Sequence, residues 1–287
     1  MGLTAYYDAA SHEKKVDSPL VVAGILATDE AWTEFHRGWR ATLGAFGVST
    51  LHMVDFAHSR REFEAWKGDD QKRALFIESI INVIQRAALV TTALRLKPED
   101  FNAVNEVYNL ATEYWTGAYS LAAHMSMTLV EQWAEPRFPG VQVRHVIEAG
   151  DNGQGPLRTF IETMLREDGD SPMRVLPKHN AATGHRIYQF EACDFIAYEH
   201  RLAVERHLTG GKPFARASYR ALVARVPNRF MKFDQNGLTE WCRVNPEAYP
   251  RRDGTVEPLP EDIPPEVRAI KERLKALEAL RAGRNSG

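Results

Sequence analysis

Three carboxylates stand out because apolar residues lead straight into them or surround them. Asp8 ends the strand-like run 3–7, and Glu148 closes the apolar run 141–147, with Asp151 three residues further on. In open α/β sheets ligands collect outside the carboxyl ends of strands, so two such acids can share one site. Asp194 lies within Phe190-Glu191-Ala192-Cys193-Asp194-Phe195-Ile196-Ala197-Tyr198, with apolar residues on both sides. An unpaired carboxylate there would be costly to bury, so it needs a partner or a cation. Mg²⁺ or Mn²⁺ would stabilise such acids together, because hard cations take oxygen ligands. Two such ions about 4 Å apart activate water and stabilise the leaving oxygen of a phosphodiester.

Each acid also has an ordinary structural use. Asp8 suits a turn, Glu148 and Asp151 suit a helix N-terminus, and Asp194 can pair with Arg201 or Lys178. The segment His52-Met53-Val54-Asp55-Phe56-Ala57-His58 has spacing that suits zinc, but no second cluster completes four ligands. Glycine-rich phosphate loops, nucleophile elbows and Cys-x-x-Cys pairs are absent from the sequence. Cys193 reads as packing within an apolar helix face.

The elements that must position these acids follow from periodicity. Residues 3–7 and 19–26 read as strands joined by a polar loop, a hairpin with a long connection. Trp32, Phe35, Trp39 and Leu43 recur at helical spacing, and residues 70–88 form an amphipathic helix. A strand is expected at 89–96, one long helical region at 102–135, strands at 141–147 and 173–176, and a strong helix at 190–208. Three early strands followed by alternating helices and strands predict a mixed α/β sheet with helices on both faces. This domain would span 1–210. A basic, aromatic extension packed on it would span 211–254, and 255–287 would form a linker and a C-terminal amphipathic helix. The narrow seam of Ile270, Leu274, Leu277 and Leu280 would dock on the body or form a homodimer.

Composition sets outer bounds. The 287 residues are 44% hydrophobic and 26% charged, which is ordinary globular usage. Two cysteines build no disulfide framework, and no signal peptide or membrane span is read, so a cytoplasmic protein is expected. A net charge of −2 announces no nucleic-acid partner. Locally, however, residues 214–252 set eight bases, among them Arg220, Arg225, Arg229 and Lys232, against three acids, with Phe214, Tyr219, Phe230, Phe233 and Trp241 interleaved. Such a stretch suits tracking phosphates and stacking bases, or simply forms a solvated face.

The motifs together resemble the domain-of-unknown-function 3800 family of ribonuclease H-like proteins. Tyr6-Tyr7-Asp8-Ala9-Ala10-Ser11 stands where the family has a strand ending Asp-Glu-Ser-Gly, and His52-Met53-Val54-Asp55-Phe56 matches a His-x-x-Asp segment. Val146-Ile147-Glu148-Ala149-Gly150-Asp151 matches a strand ending in an acid. Gln189-Phe190-Glu191-Ala192-Cys193-Asp194 looks like a longer-spaced Gln-x-Ala-Asp. The likeness covers residues 3–207. Ala9 and Ala10 replace the family's Glu and Ser, which removes one carboxylate and one hydroxyl.

The resemblance implies a ribonuclease H-like fold. With the residues above, it leads to a metal-dependent nuclease or related phosphodiesterase acting with Mg²⁺ or Mn²⁺. Asp8, Glu148 and Asp194 would be ligands, with Asp151 a fourth ligand or a water-orienting base. His52 and Asp55 would line the site, and Lys178, His179, His185 and Arg186 would hold phosphates. Two other expectations stand beside it: a non-catalytic nucleic-acid or protein-binding module with a degraded site, favoured by Ala9, and a hydrolase of small phosphate esters.

Overall fold

A computed structural model describes residues 1–10, 19–111, 117–150, 172–180, 185–208, 217–247 and 249–255, together with 154, 155, 157–159 and 161. Strands β1 (Leu3–Ala10) and β2 (Leu20–Thr28) pair antiparallel, and β3 (Val90–Leu96) pairs antiparallel with β2. On the other side of β1, β4 (Val143–Glu148) and then β5 (Met173–Leu176) join in parallel. A separate ribbon is made by β6 (His179–Asn180) and β7 (His185–Arg186). Strand β8 (Asn228–Phe233) runs parallel to β3. The order β5-β4-β1-β2-β3-β8, with β2 alone reversed, is a ribonuclease H-like mixed sheet carrying a sixth strand.

Eight α-helices with described bounds surround this sheet, and a short 3-10 helix, Arg61–Trp66, follows the second of them. They are α1 (Asp29–Ala45), α2 (Met53–Ala57), α3 (Asp70–Ala87), α4 (Pro98–Val107), α5 (Ala118–Ala134), α6 (Tyr188–Leu208), α7 (Ala217–Val223) and α8 (Gln235–Val244). Strand β2, Leu-Val-Val-Ala-Gly-Ile-Leu-Ala-Thr, is apolar on both sides and needs cover on both. One core therefore joins Leu3, Ala5, Tyr7 and Leu94 to α4, α5 and α8. The other joins Val21, Ala23, Ile25 and Ala93 to α1, α2, α3, α6 and α7. The Thr28 hydroxyl starts α1 by accepting the Ala31 N–H at 3.1 Å, and Trp32, Phe35, Trp39 and Leu43 form its buried stripe.

Side chains alternate along β1, so Tyr7 and Asp8 face opposite cores. The Tyr7 hydroxyl lies 2.9 Å from Nδ1 of His145, whose Nε2 is 3.2 Å from Glu131 on α5. Gly24 sits opposite Tyr7 because the ring leaves no room for a side chain. A Cβ there would lie 2.5 Å from the ring and 2.9 Å from Thr92 Oγ1.

Two sequence expectations change. The region 102–135 is two helices, because the chain after α4 pairs with a distant segment. Tyr108 bridges Arg251, the Asn109 N–H donates to Pro250 at 2.8 Å, and the Asn105 side chain accepts from Ala111 at 2.7 Å. The basic stretch also enters the body of the fold: β8 is a sheet strand, and Leu238 and Trp241 of α8 are buried in the core. Alternating polar residues on β8 and the short helices on either side hid that role. The terminal seam from 270 to 280 lies outside the described residues.

Candidate functional site

Strands β1 and β4 align in parallel through Tyr7 and Ile147, so Asp8 and Glu148 follow as adjacent residues at the carboxyl edge. Both lie on the face covered by α6, where the Phe190 ring packs edge-on against Tyr6. The first half of α6 is buried on nearly every side, so its polar residues need partners. Asp194 Oδ2 accepts the Met53 N–H at 2.9 Å. One turn earlier, fully buried Glu191 accepts from Trp39 Nε1 at 2.9 Å, Thr50 Oγ1 at 2.9 Å and the Leu51 N–H at 3.0 Å. Glu191 thus fastens residues 50–51 to α6 and sets the segment that carries His52.

Lys178 brings the acids together. Its Nζ lies 3.3 Å from Asp8 Oδ2 and 3.0 Å from Glu148 Oε2. Asp8 Oδ1 also accepts the Ala9 N–H at 2.7 Å. Burial, followed by the charge of Asp8 and a hydrogen bond with it, pushes Glu148 up to about 9 against the pull of Lys178. Burial and then Asp8 raise Asp194, while Lys178, His52 and the Met53 N–H draw it down. Burial alone would lower the Lys178 ammonium, but Asp8, Asp194 and Glu148 outweigh it and raise it.

Three carboxylates thus face one ammonium. Carboxylate oxygens are the hard donors that a divalent cation takes, so the residue types fit such an ion. Among the described residues, no three His, Cys, Asp or Glu side chains form a ligand cluster as they stand. Lys178 already occupies the space next to Asp8 and Glu148.

The other predicted residues divide. His52 caps α2 with Nδ1 3.2 Å from Asp55 Oδ2, and Asp55 also lies 3.5 Å from Arg61 Nε. His179 is exposed and pairs with Arg186 across the ribbon, while His185 pairs with Asn180. The Arg186 side chain donates to the Ser49 carbonyl at 2.6 Å and lies 3.7 Å from Glu191, so it holds the loop. Asp151 lies outside the described residues.

The basic residues are elsewhere. β8 stands three strands from β1, roughly 14 Å at about 4.8 Å per step. Arg229 shares the face of Met231 and Phe233, opposite to Asp8. Lys232 pairs with Asp234 at 2.9 Å, Arg220 is exposed, and Arg225 lines a groove between α3 and α7.

Glu191 was missed as an anchor, although its spacing of three from Asp194 in an apolar helix already put both acids on one face. Cys193 is buried, raised by burial and then by Asp8, and donates to the Tyr6 carbonyl at 3.1 Å, so it serves packing. Among the described residues, no helix is long and apolar enough to cross a membrane.

No family model matches the chain. No curated protein matches it either. Among solved structures, it is similar to Bst-RNase HIII in complex with Mn²⁺, at 16% identity and a TM-score of 0.39. The similarity covers 78% of this chain and 61% of that one, so the chain spans less than two thirds of the neighbour's length.

Proposed function

We propose that this chain is a divalent-metal-dependent nuclease or related phosphodiesterase, of the domain-of-unknown-function 3800 kind, that works in the cytoplasm. The observation that carries the reading is the approach of Asp8 and Glu148, from distant segments, to one Lys178 ammonium at a strand edge, with Asp194 near enough for its charge to act on both Asp8 and Lys178. Asp8, Glu148 and Asp194 would hold Mg²⁺ or Mn²⁺, with Asp151 as a further ligand or water-orienting base. A bound ion would supply an activated water and offset charge on the phosphate. Lys178, His52 and His179 would meet a phosphate, Asp55 would orient His52, and Arg186 and Glu191 would fix the approach loop. Arg220, Arg225, Arg229 and Lys232 would bind nucleic acid only beyond this edge.

The test is cleavage and gel-shift of labelled single-stranded, double-stranded and hybrid substrates with Mg²⁺, Mn²⁺ or chelator. Asp8→Asn should stop turnover and leave binding nearly intact, because it touches the metal chemistry alone. Binding without cleavage under every metal condition would overturn the enzyme reading in favour of a binding module with a degraded site. Ala9, where relatives carry Glu, favours that second reading. Cleavage of small phosphate esters alone would exclude the polymer substrate.

A further inference from the structure

We propose that the C-terminal segment 256–281 folds back round the outer strand of the sheet and seats its apolar seam, Ile270, Leu274, Leu277 and Leu280, in the groove between α3 and α7.

The groove encloses about 650 Å³. Buried Phe56, Ile77 and Ile81 line it together with Ala74, Ala217 and Ala221, which are exposed. Its middle is thus apolar, and its alanine walls are low enough for a helix to approach within the 8–10 Å that packed helices keep. The seam has the matching character. Its four residues recur every three or four positions, which puts them in one narrow stripe on a helix.

Position and length agree with this pairing. Helices α3 and α7 lead into β3 and β8, so the groove end near Gln85 and Arg225 lies at the amino ends of those strands. Helix α4 starts beyond the carboxyl end of β3 and runs back about 15 Å towards the amino ends. There the Arg252 N–H donates to the Val107 carbonyl at 2.9 Å, which brings Thr255 to the same end of the sheet on the opposite face. Strand β8, the outermost, lies between the two. Going round it, past helices about 10 Å across, takes roughly 25 Å. Residues 256–265, with Pro258, Pro260, Pro264 and Pro265, span about 31 Å when extended.

Charge favours the same route. Residues 256–265 carry Glu257, Glu261 and Asp262 and no Lys or Arg. Arg225, in the turn from α7 to β8, and Arg229 on β8 are exposed and form no ion pair among the described residues. A nucleic acid that reached these arginines would have to displace the segment.

Double electron–electron resonance on the full chain tests the proposal, with spin labels at Glu78→Cys on the groove rim and Ala279→Cys off the seam. Both native cysteines are buried and stay unlabelled. One narrow distance is expected, below about 25 Å or two helix diameters, unchanged when labelled chain is diluted in excess unlabelled chain. Leu274→Glu with Leu277→Glu should broaden the distribution and speed hydrogen exchange at 217–223 several-fold. Arg225→Glu with Arg229→Glu should broaden it too. A broad distribution before either change, or an unchanged one in either double variant, would overturn the proposal. A signal lost on dilution would also overturn it, in favour of a seam that pairs two copies.

Discussion

Glu191 and Asp194 lie one turn apart on α6 and accept main-chain N–H groups from residues two apart, Leu51 and Met53, at 3.0 and 2.9 Å. A single helix therefore grips the segment that leads into His52 with two buried carboxylates, only one of which borders Lys178. The anchor and the candidate ligand can be separated by mutation.

Glu191→Ala removes the acceptor for three donors, two of them buried, and should destabilise the protein by about 3 kcal/mol, as expected when buried polar groups lose their partner. Glu191→Gln should cost less, because one amide oxygen still accepts. Denaturant unfolding measures both. Hydrogen exchange at Leu51 should quicken in the alanine variant, and an unchanged exchange rate there would refute the anchoring role.

Glu148 ties stability to alkaline pH. Its ordinary value is near 4.5, and burial with Asp8 pushes it to about 9 in the fold. Between these values the unfolded chain has released a proton that the native chain retains, so stability falls as pH rises. The contribution is complete below about 4.5 and is lost by about 9. Glu148→Gln stays neutral throughout. Its melting temperature relative to wild type should climb between pH 5 and pH 9, by about 2 °C for each kcal/mol recovered. A constant difference across that range would argue against the shared burial of Asp8 and Glu148.

His200 acts on the acid side. It is buried on α6 between Tyr219 and the stacked Phe230 ring, 5.2 Å away, and burial pushes it down to about 3 from 6.5. The neutral ring is native, so its contribution is present above about 6.5 and lost as pH falls towards 3. His200→Phe cannot take up the proton and should flatten the loss of melting temperature between pH 7 and pH 4.5. Parallel curves for the two proteins would show that His200 does not drive acid unfolding.

Gly24→Ala tests the centre of the sheet. Its new methyl would collide with the Tyr7 ring and Thr92, and relief requires moving a ring that is hydrogen-bonded to His145. A loss of about 2 kcal/mol is expected, within the range for overpacked cores. Tyr7→Phe with Gly24→Ala should be no better, because the ring is the obstacle. Recovery in Tyr7→Ala with Gly24→Ala, beyond additivity of the single variants, would confirm the contact.

Much of the fold could be read from the sequence because its strands are apolar runs with acids or turns at their ends. β2 is apolar on both sides and is buried on both, and Trp32, Phe35, Trp39 and Leu43 mark the inner face of α1 in sequence and structure alike. The break after α4 was hidden because Tyr108 and Asn109 find partners at Arg251 and Pro250, a pairing that no local pattern announces. Strand β8 was hidden for a related reason: an edge strand has one neighbour, and Arg229 and Lys232 there look like a solvated stretch. At the site, Asp8, Glu148 and Asp194 were visible as acids out of place. The arrangement of Lys178 was not, since a two-residue ribbon has no periodicity to detect.

The central pairing of β1 with β4 also sets an order of events during synthesis. The Tyr7–His145 contact spans 138 residues and the Asp8–Lys178 pair spans 170. A chain leaving the ribosome can close the β1–β2–β3 meander early, but one edge of β1 then waits, unpaired, until about half the chain has emerged. Open apolar edges invite pairing with other chains. The waiting edge carries Asp8 on one face, and a charge pointing inward from an unfinished sheet discourages that trespass, so the acid guards the nascent chain before its partners exist.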